Sequence, residues 1–173
     1  ITDTLGNFSS NGRYLYQQYY NGSSTGSFYT GNSTPTWQNT LAPLFIPNRD
    51  VFAPKDSGIY KLSCDNGEYS LVLTIDQIVH DHISPIVKKK TKHYFNHILF
   101  NPDGSRFTFL HRWRNSNRSL STRMITASPN GNEVRVIDDY GHTSHFVWRD
   151  TQHILAWSWH PSNGNGFYLY RDG

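Results

Sequence analysis

The chain has 173 residues, enough for one domain with a sizeable core. Aromatic residues make up 15% and charged residues only 17%, with many Gly, Asn, Ser and Thr and no long amphipathic helical pattern, so a helical bundle is excluded and strands joined by turns are expected. A net charge of +3, scattered along the chain, argues against a nucleic-acid partner; no apolar run suggests a membrane partner; and the single cysteine, Cys64, excludes an intramolecular disulfide.

In chain order, the first unit opens at Phe8. An aromatic, a turn with Asn11-Gly12 and an apolar run at 14–16 predict two strands. The pattern then disappears. Residues 21–56 form a long insertion, first rich in Gly, Ser, Thr and Asn with Phe28, Tyr29 and Trp37 interspersed, then punctuated by Pro43, Pro47 and Pro54. Loops of that length in compact domains are functional lids or linkers, and the aromatics favour a packed lid. Two further strands are predicted at 58–62 and 69–73, joined by the hairpin signal Asp65-Asn66-Gly67. A short helix is expected at 76–80. Pro85 and the run Lys88, Lys89, Lys90, Lys92 follow, read either as a solvated turn or as a rim that attracts anions.

From 93 onward one unit occurs almost twice. Residues 96–100, the turn Asn101-Pro102-Asp103-Gly104 and the run 107–110 correspond to 144–148, the turn at 149–152 and 154–157. The offset of about 48 residues lies in the range of propeller blades. Third strands are predicted at 122–126 and 166–170, and a fourth at 133–137 beyond Pro129-Asn130-Gly131. The expected fold is therefore all-β: a partial β-propeller of about three four-stranded antiparallel blades. The blade-like units are 1–74, 93–138 and 143–173, with the insertion at 21–56. Both termini read as cuts in a longer polypeptide. The partners expected to close the ring are the remaining blades of that polypeptide or a second chain.

Strand direction places the candidate site. The starts of inner strands and the ends of second strands share one face of a propeller. His97 and His145 lie early on inner strands at equivalent positions, and His111, Arg112 and Trp113 end one second strand as Trp159 and His160 end the next. Such a set suits an acidic oligosaccharide: aromatic faces stack on a pyranose, and Arg makes paired contacts to a carboxylate. Neutral His also holds divalent metal. The structural alternative is that His97 and His145 bond neighbouring blades. For Trp113, Trp148 and Trp157, packing between blades is the expected role.

The segments NHILFNPDGSRFTFLHRW at 96–113, STRMITASPNG at 121–131 and GHTSHFVWRD at 141–150 resemble the TolB/WD40-like propellers and, among them, the oligogalacturonate lyase group. The resemblance covers 96–159 well, 7–73 loosely and the insertion not at all. It implies a complete ring of blades that cleaves short pectic fragments by β-elimination with bound manganese (Mn2+). His145, in its His-x-x-Trp setting, resembles the first metal ligand, and the other ligands belong to a later blade. His111 resembles a His near the substrate, although Arg112 stands where the lyases have Gly. On this reading His111 and Arg112 are catalytic candidates, His97, Arg112, Trp113 and His160 bind substrate, and His145 holds metal. The competing expectation is a non-catalytic scaffold presenting the same face to a protein or glycan.

Overall fold

The structure, a computed structural model, describes the backbone of 8–10 and 14–19 and, with side chains, residues 51–63, 65–82, 85–87, 90–117 and 119–173. Most of the predicted insertion, Lys88 and Lys89 lie outside the described residues.

Three antiparallel sheets follow one another along the chain. The first is β1 (Phe8–Ser10), β2 (Tyr14–Tyr19), β3 (Gly58–Ser63) and β4 (Tyr69–Thr74). The helix α1 (Ile75–His80) leads out of it. The second is β5 (His93–Phe100), β6 (Phe107–Arg114), β7 (Leu120–Ala127) and β8 (Arg135–Asp138). The third is β9 (Ser144–Trp148), β10 (His153–His160) and β11 (Gly164–Arg171). Each sheet is a meander in strand order; short turns return each strand beside its predecessor, except between β2 and β3, which the long insertion separates.

The turns carry the expected chemistry. Asn101 closes the β5–β6 turn: its N–H donates to Arg106 O and its carbonyl accepts from Gly104. Asp150 accepts the N–H groups of Gln152 and His153 in the β9–β10 turn. α1 begins with a capping box, in which Thr74 accepts from the Gln77 N–H and the Gln77 side chain accepts from the Thr74 N–H. Six residues are too few for a helix to stand alone, so α1 depends on burying Ile75, Ile78 and Val79.

The second sheet is buried on both sides, and strand alternation decides what goes where. Phe95, Phe107, Phe109 and Ile125 pack with Ile59, Leu73 and the α1 residues on the side of the first sheet. Leu110 and Met124 pack with Trp148, Ile154 and Ala156 of the third. Arg106 and Asp172 staple the second and third sheets together with an ion pair of 2.6 Å.

Among the described residues, only one side of the third sheet is covered. Val147, Leu155, Trp157, Trp159, Phe167 and Leu169 are all exposed. Strand pairing equates Leu155, Trp157 and Trp159 with Thr108, Leu110 and Arg112 of the preceding sheet, since Ile154 pairs with Trp148 as Phe107 pairs with Phe100. Thr108 and Leu110 are fully buried.

Candidate functional site

Two β-bulges organise the site. Asn96 pairs with Leu110 but Leu99 with Thr108, so β5 carries one extra residue. Ala156 pairs with Phe146 but Trp157 with Ser144, so β9 carries one too. At both places a histidine takes up the left-handed conformation, His97 with φ 57° and His145 with φ 40°. Left-handed φ is uncommon outside Gly, and His is among the residues enriched there. A bulge also re-aims the side chains around it. In β5 the extra residue puts both Phe95 and Ile98 into the core facing the first sheet. His97 itself is exposed.

The two histidines border one open cleft of about 640 Å³, together with Ile98, Leu99, Phe146, Val147, Leu155 and Phe167. Trp148 ties the strands together there by donating its indole N–H to Leu99 O at 3.2 Å. Arg112 stands behind His97. It lies directly opposite Tyr94 in the strand register and donates to the Tyr94 hydroxyl, while its Nε is buried with no partner. The neighbouring Asn96 is 8% exposed, and its Oδ1 also has no partner. Partial burial, then the charges of Arg112 and His145, hold the His97 imidazole below its usual pKa. Burial lowers Arg112 as well, against the opposing influence of Tyr94.

Of the residues singled out in the sequence, the structure gathers His97, His145 and Arg112. It separates the others. His111 and Arg112 are consecutive in a strand and point to opposite sides of the second sheet. His111 is fully buried toward the first sheet and makes a 2.8 Å contact with His93. Trp113 is fully buried beside it, 5.2 Å from the His111 ring. Neither is open to a ligand. His160 lies apart from the cleft in an aromatic group with Tyr140 and Tyr168. His93 and Tyr94 lie before the predicted inner strand, which begins at Asn96, and Asn96 itself carries no signal beyond its place in that strand. Extending it back to His93 would have put Tyr94 opposite Trp113, and only the extra residue of the bulge brings it opposite Arg112.

Among the described residues no group of three or more His, Cys, Asp or Glu could hold a metal ion. The cleft offers two imidazoles, and the nearby guanidinium opposes a cation. By themselves these donors do not make up a manganese centre.

No family model, curated protein or solved structure matches the chain.

The left-handed bulge makes a sharp expectation. Replacing His97 by Gly should leave stability within about 0.5 kcal/mol of wild type, because Gly accepts φ above zero without strain. His97→Val should cost about 1–2 kcal/mol, since a β-branched residue fits that region poorly. Paired thermal melts of the two variants check it; equal losses would mean that β5 is not bulged at that position.

Proposed function

We propose that the chain is a segment of a β-propeller whose cleft between the second and third sheets binds an acidic oligosaccharide such as oligogalacturonate. The observation that carries this reading is the pair of left-handed bulges: successive repeats each turn a histidine toward one cleft, with the unsatisfied Nε of Arg112 behind them. An Arg and two imidazoles make a donor-rich, electropositive surface, which suits a carboxylate. Leu99 supplies apolar surface at the cleft for the carbon face of a sugar ring, whereas Val147, Leu155 and Phe167 belong to the bare side of the third sheet.

Binding fits this arrangement better than cleavage does. β-Elimination needs a base at the proton α to the uronate carboxylate and a cation to stabilise the enolate. His111, the base suggested by resemblance, is shut inside the sheet packing.

The second reading is a scaffold, and the bare apolar side of the third sheet favours it. Because the same side of the second sheet is covered by a following sheet, the occupant that fits is a further blade, from the same polypeptide or a second chain.

Calorimetric titration with oligogalacturonate decides between the two. Saccharide binding should appear in the wild type, and Arg112→Ala should weaken it by about 10- to 100-fold, the range of a charge-assisted hydrogen bond. A scaffold whose partner is a protein or a further blade would give no saccharide heat, and an unchanged affinity in the variant would remove Arg112 from the site.

A further inference from the structure

A second group of ionisable side chains lies away from the cleft, on the opposite side of the second sheet. His93, His111 and Arg123 form a line through the core, at 1%, 0% and 0% exposure. Arg123 Nε donates to His111 Nδ1 at 2.9 Å, and His111 Nε2 meets His93 Nδ1 at 2.8 Å. The guanidinium also donates from Nη1 to His82 O at 2.7 Å and from Nη2 to Ile78 O at 2.8 Å. It therefore satisfies carbonyls at and just beyond the C-terminal end of α1, where a cation is favoured.

Arginine can only donate, which fixes the protons of the line. His111 Nδ1 must be bare, so neutral His111 carries its proton on Nε2 and donates it to His93 Nδ1. His93 then carries its proton on Nε2. The pair has no position for another proton. A proton on His111 Nδ1 faces the Arg123 N–H, and one on His93 Nδ1 faces the His111 N–H. Either breaks a buried hydrogen bond.

We propose that this line is an acid-sensitive latch: a proton entering the His93–His111 pair displaces Arg123 and frees the C-terminal end of α1 from the second sheet. Charged groups near the pair include Arg123 on β7, Asp139 after β8, whose carboxylate acts on Arg123, and Asp81 and His82 after α1, which interact with each other, His82 also with Arg123. The nearest charge to His111 is thus a cation. Burial, then Arg123, then His93, hold His111 well below its usual value of 6.5. Burial first, with Arg123 adding to it, lowers His82 in the same direction. A histidine depressed in the folded state binds its proton more readily once released. The latch is therefore fully closed above about pH 6.5 and opens as the pH falls toward the folded value. α1 is the element that gives way, because six residues depend on outside contacts to remain helical.

Trp113 is a built-in reporter, 5.2 Å from His111 and 5.7 Å from His93, where an imidazolium quenches indole emission. The test follows amide hydrogen exchange, corrected for its intrinsic pH dependence, from about pH 8 to about pH 5. Tryptophan emission is read alongside, with Trp113→Phe to isolate the signal. The expected result is that α1 amides exchange faster by about tenfold per pH unit below the onset, in step with quenching of Trp113, while β6 and β7 remain protected. His111→Gln supplies an acceptor for Arg123 and a donor for His93 without titrating, so its α1 should lose protection much less steeply than wild type over the same range. Protection of α1 that ignores pH in the wild type overturns the latch. So does an α1 that opens in His111→Gln as it does in wild type, or simultaneous loss of protection in α1 and the sheet. If the variant does not fold, comparing α1 with β6 and β7 in the wild type still decides the matter.

Discussion

Asp172→Ala is expected to destabilise the protein by about 3–5 kcal/mol, the cost of removing one partner from a buried ion pair. The Asp172 side chain is 1% exposed. It accepts from Arg106 Nε at 2.6 Å, from the Thr126 hydroxyl at 2.9 Å and from Arg135 Nη1 at 3.1 Å. Without the carboxylate, the Arg106 charge remains inside the seam between the second and third sheets with no counter-charge of similar burial. Glu133 lies 3.4 Å from Arg106 Nη1 but is 68% exposed, so Glu133→Ala should cost no more than about 1 kcal/mol. Urea midpoints at unchanged slope measure both; a loss in Asp172→Ala no larger than in Glu133→Ala would show that the staple does not hold the seam. Burial, the largest influence on the Asp172 carboxyl, pushes its pKa up. The bonds from Arg106 and Thr126, the Arg106 charge and the Arg135 bond outweigh it and hold the pKa below the ordinary 3.8. A depressed carboxyl gives stability that is complete above the unfolded value. This contribution is therefore full above about pH 3.8 and fades as the pH falls through the lower folded value.

Gly131→Ala should be the more damaging of two otherwise matched glycine substitutions. Gly131 and Gly67 both sit in hairpin turns with positive φ, 78° and 74°. A methyl group on either residue meets the left-handed penalty of about 1–2 kcal/mol. At Gly67 nothing lies within 4 Å of the added carbon, so the loss should end there. At Gly131 the carbon would fall 1.9 Å from Val72 O, on the outer strand of the first sheet. The turn must retreat, which adds about 1–3 kcal/mol and loosens the Lys61–Asn130 hydrogen bond beside it. Chemical denaturation of both variants gives the difference directly. Equal losses would mean that the second sheet does not rest on the first at this turn.

Much of this fold is legible in the sequence, for definite reasons. Alternation and turn residues located strands in all three sheets, and Thr74 and Gln77 mark where α1 begins. Side-chain direction was legible too: His111 and Arg112 are neighbours in a strand, so period two alone puts them on opposite sides. Grouping them by position along the strand concealed this. The bulges were not legible. Nothing in Asn96-His97-Ile98 or Ser144-His145-Phe146 announces a left-handed residue, and one extra residue is visible only once the partner strands are in register. The Arg106–Asp172 and Arg123–His111 contacts join residues 66 and 12 positions apart, respectively. No local pattern specifies such a pair; only the stacking and pairing of strands does.

The central claim is that His97, His145 and Arg112 serve one acidic ligand, and histidine side-chain NMR during a titration with oligogalacturonate tests it most directly. The imidazole signals of His97 and His145, assigned by substitution, should move together and saturate at the same ligand concentration. Those of the enclosed His93 and His111 should remain in place. Movement confined to other histidines, or signals that stay fixed at saturating saccharide, would contradict the claim.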